Sequence, residues 1–112
     1  MYIPAPFLET GRGRLLEFIR NNSFGVLVSS YEGRPYASHL PFLLDADFNG
    51  NARLLGHMAR ANPQWKEYVP DSEALAIFSG PQHYITPAWY PSKLEQGKVV
   101  PTWNYVAVHA RG

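Results

Sequence analysis

The chain has 112 residues, 10 basic and 9 acidic side chains and a formal net charge of +1, which fits one domain at most. This charge provides no basic field to attract nucleic acid, and the absence of cysteine excludes disulfides and zinc–cysteine sites. The start of the chain lacks a signal-peptide pattern, and no apolar run approaches the ~20 residues of a membrane span. We therefore expect a cytoplasmic protein.

The first third of the chain predicts a short helix followed by a buried strand. Residues 1–8 form an apolar arm that two prolines keep extended. Apolar residues then recur on one helical face as far as Ile19, with Thr10 as the expected N-cap and residues 21–22 as the end. Residues 24–30 are apolar and partly β-branched, so they predict a buried strand at the centre of a sheet.

Further strands are predicted between turns rich in Gly, Pro, Asp and Asn. They span residues 36–44, 53–58 and 74–79, and a fifth lies within residues 97–109. Pro41 should place its strand at an edge or in a bulge, and residues 80–81 should close the fourth strand. Asn62 as N-cap and Pro63 in the first turn predict a short helix. Together these elements predict a mainly β fold with short helices, of the β or α+β class, arranged as a small barrel.

Residues 56–63 offer the clearest candidate binding chemistry. A strand ends there, Arg60 follows, and a helix begins at Asn62. A helix N-terminus attracts phosphate through free N–H groups, and a guanidinium adds a bidentate fork. His57 could donate to the same phosphate or to a ring oxygen. The alternative is a solvated arginine before an ordinary capped helix.

Two other regions are weaker candidates. Ser38 and His39 could hydrogen-bond a flat heterocycle, although a core strand with a surface histidine explains the same pattern. Residues 84–105 concentrate aromatic side chains and prolines, which is typical of an interface or a stacking platform, the alternative being a core strand. We find no serine-hydrolase motif and no histidine spacing typical of a metal site, so no catalytic or metal-binding residue is predicted.

A series of short motifs in a fixed order supports a more specific prediction. They are MYIP (1–4), SHLPF (38–42), GHMARANP (56–63), FSGP (78–81), YITP (84–87), WY (89–90) and VPTWNY (100–105). In order and spacing they resemble the signature segments of the bacterial FMN-binding negative transcriptional regulators, the PaiB-like proteins. The resemblance extends over essentially all 112 residues and corresponds to the N-terminal half of the family's usual length.

The resemblance implies an FMN-binding split β-barrel, related in fold to pyridoxamine-phosphate oxidases and flavin reductases. It implies a homodimer with cofactor sites at the subunit boundary. The implied cofactor-binding residues are Ser38, His39, His57, Met58, Arg60, Asn62, Trp103 and Asn104. Of these, His57 and Arg60 would hold the phosphate, and Ser38 and His39 would lie by the isoalloxazine. Trp103 and Asn104 would reach the neighbouring subunit's site.

The resemblance also implies a repressor of genes for sporulation and secreted degradative enzymes. Two other functions remain open at this point: a flavin-dependent oxidoreductase or flavin reductase, and a cofactor-free dimeric barrel. The sequence has no hydride acceptor of its own, so an enzyme would depend on FMN. DNA is a partner that the charge of the chain does not favour.

Overall fold

The computed structural model describes residues 1–67, 72–91 and 100–112, and this part of the chain is mostly β. Its strands are β1 (Phe24–Tyr31), β2 (Arg34–Phe48), β3 (Asn51–Gly56), β4 (Leu75–Ile85) and β5 (Thr102–Arg111). A helix, α1 (Arg12–Asn21), precedes them, and short 3-10 helices span Ala5–Phe7, Pro63–Glu67 and Pro87–Trp89. The predicted mainly β fold with short helices is confirmed. None of the described helices is long and apolar enough to cross a membrane.

The strands form one antiparallel sheet in the order β3-β2-β1-β4-β5, so β1 is central, as predicted. β1 pairs with β2 along its whole length, but it pairs with β4 only from Val26↔Ile77 to Val28↔Leu75. β4 and β5 stay paired as far as Ile85↔Thr102. The far part of this pair is therefore a two-stranded ribbon that β1 does not flank.

The two hairpins that flank β2 turn on residues with left-handed backbone. Glu32 and Gly33, between β1 and β2, have φ angles of 50° and 69°. Asn49 and Gly50, between β2 and β3, have φ angles of 49° and 79°. Positive φ at both central residues is the mark of a type I′ turn, whose twist matches that of the flanking strands.

At Pro41 the strand β2 is paired on its β1 side only, so the predicted edge position is confirmed for this part of the strand, and no bulge is present there. The pairing of β2 with β1 ends at Phe24↔Pro41, and the pairing of β2 with β3 begins at the next residue, Phe42↔Gly56. The N–H of Phe42 donates to the Ser23 carbonyl at 2.8 Å. Proline is tolerated at this point because the strand changes neighbours there and the following residue supplies the donor.

β4 does not stop at residues 80–81, as the sequence predicted. It continues to Ile85, with a register shift between Ser79 and Gln82 that accommodates Pro81. Because β1 has already separated from β4 at this point, the missing proline N–H disrupts no ladder on that side.

The start of α1 also differs from the prediction, whereas its end agrees with it. The N-cap is Gly11 and not Thr10, and the Gly11 N–H donates to the Glu9 carboxylate at 2.7 Å. This hydrogen bond, with a second from Arg14, holds the pKa of Glu9 below its usual value. At the other end, the Asn22 side-chain amide donates to the Phe18 carbonyl at 2.9 Å.

A small core lies between α1 and the inner face of the sheet. Its buried members are Ile19, Leu40, Phe42, Ala76 and Phe78. Phe78 is 0% exposed, and its ring meets that of Phe42 edge-on with centroids 5.5 Å apart. Gly25 makes room for this ring, since a Cβ there would lie 2.9 Å from the Phe78 ring and 3.0 Å from the Ile77 carbonyl oxygen.

We expect Gly25→Ala to destabilise the fold by about 1–3 kcal/mol, because the added methyl overpacks the Phe78 ring. Gly13→Ala is the matched control: a Cβ at this position of α1 meets nothing within 4 Å, so alanine should add roughly 0.5–1 kcal/mol of helix stability. Urea unfolding of both variants and wild type measures the difference. Equal midpoints for the two variants would show that Gly25 is not required for the packing of Phe78.

Candidate functional site

The chain turns sharply after β3 and presents Arg60 at the apex of that turn. The N–H of Asn62 donates to the Ala59 carbonyl at 2.8 Å, and the 3-10 helix Pro63–Glu67 follows. The indole N–H of Trp65 donates to the Arg60 carbonyl at 3.0 Å. We call residues 57–62 the Arg60 turn. Its backbone is held by one hydrogen bond within the turn and by a second from the following helix.

The side chains of Arg60 and His57 are exposed, and the structure shows no ion pair or hydrogen bond from the Arg60 guanidinium to any described residue. Two other arginines do have ion pairs: Arg14 pairs with Glu9 at 3.1 Å, and Arg53 pairs with Asp45 at 2.8 Å. Within the described ranges, the backbone N–H groups of Arg60 and Ala61 also have no acceptor. The turn thus combines a fixed positive charge with two adjacent N–H donors, which is suitable chemistry for an anion.

The expected donors at the helix start are already used. The Asn62 N–H donates to the Ala59 carbonyl within the turn, and Pro63 has no N–H. The Gln64 N–H donates to the Asn62 side-chain oxygen at 3.0 Å. This last bond confirms Asn62 as the N-cap. The predicted helix is also only a five-residue 3-10 segment, so its dipole is small. Anion binding at this turn would depend on Arg60 and on N–H groups earlier in the chain than the sequence indicated.

The fold brings Ser38 to this turn. The Asn62 side-chain amide donates to the Ser38 hydroxyl at 2.8 Å, joining two predicted residues that are 24 positions apart. Ser38 is 9% exposed and shares the inner face of β2 with Leu40 and Phe42. Both polar atoms of the Asn62 side chain therefore have hydrogen-bond partners within the protein, and Ser38 is largely buried.

His39 and Met58 lie apart from that contact. His39 is on the outer face of β2, exposed, with its ring stacked near that of Phe24 at 6.4 Å between centroids. It points away from Ser38, so within one chain the two cannot contact the same face of one flat ring. Met58 is half-buried and packs against the core, which anchors the first part of the Arg60 turn to the sheet.

Trp103 and Asn104 lie on the two-stranded ribbon, opposite Tyr84 and His83. The Trp103 and Tyr84 rings meet edge-on with centroids 5.9 Å apart. Among the described residues, no hydrogen bond or ring contact joins Trp103 or Asn104 to the Arg60 turn. A single chain therefore does not assemble all the predicted residues into one site.

Sequence reasoning missed Gln64, the most heavily bonded side chain near the turn. It is 5% exposed, and its amide nitrogen lies 3.2 Å from the Leu27 carbonyl oxygen, 2.9 Å from the Ser29 hydroxyl and 3.3 Å from the Tyr36 carbonyl oxygen. No local pattern could have indicated this role, because a glutamine in the second position of a helix is usually exposed.

A separate groove of about 560 Å³ runs between α1 and the inner face of the sheet. Its lining is mostly aliphatic, as with Leu16, Leu54 and Val108, and neither His57 nor Arg60 lines it. His109 also lines it, and burial, followed by repulsion from the N-terminal ammonium and Arg111, lowers the pKa of that imidazole. No group of acidic, histidine or cysteine side chains within the described part of the chain could hold a metal ion.

The whole chain, residues 1–112, matches a family model described as "Putative FMN-binding domain". Over 112 residues the chain is 38% identical to Protease synthase and sporulation protein PAI 2 of Bacillus subtilis (strain 168), covering 100% of this chain and 51% of that protein. Uncharacterized proteins of Emericella nidulans and Saccharomyces cerevisiae are each 37% identical over the whole of this chain, which covers 55% and 76% of their lengths.

The chain spans about half the length of the Bacillus and Emericella relatives. The family match nevertheless includes all of its residues, and the family's description names FMN as the ligand. Together with the five-stranded antiparallel sheet, this confirms the split-barrel resemblance and the cofactor that it implied. The chain belongs to this FMN-binding domain family.

Proposed function

We propose that this chain binds FMN through the Arg60 turn and serves as the flavin-binding part of a transcriptional regulator. The observation that supports the binding site is the exposed Arg60 guanidinium, which has no acidic partner among the described residues and lies beside two N–H groups without acceptors. Phosphate is a dianion near neutral pH and requires several donors when it is removed from water. Arg60 supplies charge and geometry, and the turn supplies the neighbouring donors.

The residues of the chain fit the chemistry of FMN in distinct ways. Arg60, the N–H groups of Arg60 and Ala61, and the His57 ring would hold the phosphate. Ser38 and Asn62 form the wall behind the turn, and Met58 adds an apolar contact from the core side. His39 would contact the flavin ring from the outer face of β2. When bound, FMN supplies reversible electron acceptance, which the side chains of this chain do not provide.

The two-stranded ribbon supports a homodimer as the functional unit. Its exposed aromatic residues include Trp103 at 56% and Tyr105 at 62% exposure, and Tyr84 lies beside them. A two-stranded ribbon without a third strand is marginal in water, and clustered aromatic residues favour burial in an interface. A second copy would cover this surface and would bring its own Trp103 and Asn104 toward the first copy's cofactor.

The regulatory role depends on the Bacillus relative. Its name associates that protein with protease synthesis and sporulation, and half of it aligns with this chain at 38% identity. The net charge of +1 does not favour strong contact between this segment and DNA. We propose that the segment senses flavin and that its dimer controls the activity of the complete regulator.

Replacing Arg60 with alanine should weaken FMN binding by about 30-fold to several thousand-fold. The phosphate would lose a charged partner, which typically costs roughly 2–5 kcal/mol, at ~1.4 kcal/mol per tenfold change. Titration of FMN followed by flavin fluorescence measures the effect. Arg20→Ala is the matched control, because Arg20 is an exposed arginine near the end of α1, away from the turn.

Riboflavin, which lacks the phosphate, separates the phosphate contact from ring binding. Arg60→Ala should leave riboflavin affinity close to that of wild type. Equal FMN affinity in Arg60→Ala and Arg20→Ala would remove Arg60 from the site. A wild-type protein that binds no flavin would instead favour the cofactor-free barrel.

Charging the ribbon should separate the dimer into monomers. Trp103→Glu combined with Tyr105→Glu places two charges where aromatic rings would be buried, which is strongly unfavourable in an interface core. Sedimentation velocity at micromolar concentration should then give the mass of one chain. Tyr2→Glu is the control, since Tyr2 is also a surface aromatic, at 86% exposure, but lies outside the ribbon. A monomeric wild type would contradict the proposal.

The regulator and the enzyme make different predictions for the purified protein. Because the charge of this segment does not favour DNA, this test uses the complete regulator: loaded with FMN, it should retard promoter fragments of secreted-protease genes in a gel, and salt should weaken the complex. It should oxidise a reduced nicotinamide no faster than free FMN does. Rapid flavin-dependent oxidation without retardation of any fragment would replace the regulator with the oxidoreductase.

A further inference from the structure

We infer that Gln64 is a positioning residue for the phosphate-binding arginine, a role that rests on the proposed function of the Arg60 turn. Gln64 does not itself reach the surface on which Arg60 lies, because it is 5% exposed. It acts by fixing the turn to the neighbouring strands β1 and β2.

The side-chain amide of Gln64 attaches it to β1 and β2. Its amide nitrogen donates toward the carbonyl oxygens of Leu27 and Tyr36 and the hydroxyl of Ser29. Its amide oxygen has no partner among the described residues. This pattern fixes the orientation of the amide, since a flipped side chain would set its oxygen against two carbonyl oxygens.

Further hydrogen bonds link Gln64 to the Arg60 turn. Its backbone N–H donates to the Asn62 side-chain oxygen at 3.0 Å, and the Asn62 amide donates to Ser38 on β2 at 2.8 Å. The next residue, Trp65, donates to the Arg60 carbonyl at 3.0 Å. Displacing Gln64 would therefore move both the cap of the 3-10 helix and the indole that holds the Arg60 backbone.

The Gln64 hydrogen bonds matter for phosphate binding because they hold the backbone beneath Arg60. The turn itself has only one internal backbone hydrogen bond, from Asn62 to Ala59, among the described contacts. Arg60 is exposed and has a long side chain, so its placement depends on a fixed backbone beneath it. Burial makes the Gln64 hydrogen bonds effective for this purpose, because water does not compete for them.

Gln64→Met tests the proposal, since methionine keeps much of the volume and removes the donor. We expect FMN affinity to fall roughly tenfold or more, as is common when a residue that supports a ligand-binding group is changed. Riboflavin affinity should stay close to that of wild type. Asn21→Met, at an exposed position on α1 away from both the turn and the ribbon, is the control and should change neither ligand.

Gln64→Glu adds a test by pH. Burial beside two carbonyl oxygens raises the pKa of the introduced carboxyl, and only its protonated form can donate. Relative to wild type, FMN affinity of this variant should recover as pH falls from about 8 to about 5.5. Gln64→Met should remain weak throughout. Equal losses for FMN and riboflavin would show a merely structural role and would overturn the proposal. Absence of pH-dependent recovery would show that the donated hydrogen bonds do not hold the turn, and would overturn it as well.

The indole N–H signal of Trp65 in a ¹H–¹⁵N spectrum gives a readout that needs no flavin. The signal should shift in Gln64→Met and stay unchanged in Asn21→Met, and Trp65→Phe identifies it. An unshifted signal would overturn the positioning role. If wild type binds no FMN, the proposed function fails, whereas this signal still decides whether Gln64 holds the turn.

Discussion

The edge-on contact between Phe78 and Phe42 is the interaction on which the rest of the fold depends. Phe78 lies where β4 separates from β1, and Phe42 lies where β2 changes its partner from β1 to β3. Gly25 on β1 leaves the space that the Phe78 ring fills. One fully buried ring therefore sets the spacing of three strands. Because β3 leads directly into the Arg60 turn, the position of the turn follows from this packing.

Local patterns predicted the elements whose stability is local. The apolar spacing of α1 and the β-branched run of β1 are properties of the segments themselves, and both elements formed where expected. Pro81 was interpreted incorrectly because a missing N–H matters only where a neighbouring strand needs it. That neighbour is fixed by topology, and β1 has diverged from β4 before Pro81. A sequence window does not contain this fact.

In the candidate site too, residues of one local motif were predicted, and a residue whose contacts are distant in the chain was missed. Arg60, His57 and Asn62 belong to one short motif, so the strand–turn–helix pattern identified them together, and Asn62 caps as predicted. Gln64 was missed because its acceptors are 28 to 37 positions away in the chain. The resemblance placed Ser38 and His39 by the flavin ring, and this stays a prediction. Strand alternation puts the two side chains on opposite faces of β2: Ser38 accepts a hydrogen bond from Asn62, and His39 is exposed.

The weak helix dipole has a further consequence for how FMN would be held. With the helix-start N–H groups already bonded, the charge of Arg60 would be the main attraction for phosphate in the proposed site, and it would act within one chain. The flavin ring requires different chemistry, namely apolar and aromatic surface, and the exposed ribbon that carries such surface makes no described contact with the turn. In the proposed dimer one chain would therefore bind the phosphate, and the flavin ring would lie between His39 of that chain and the ribbon of the second copy. Binding and association would then be linked: FMN would strengthen the proposed dimer by the same factor by which dimerisation would strengthen FMN binding. A domain built in this way would convert flavin concentration into a change of assembly.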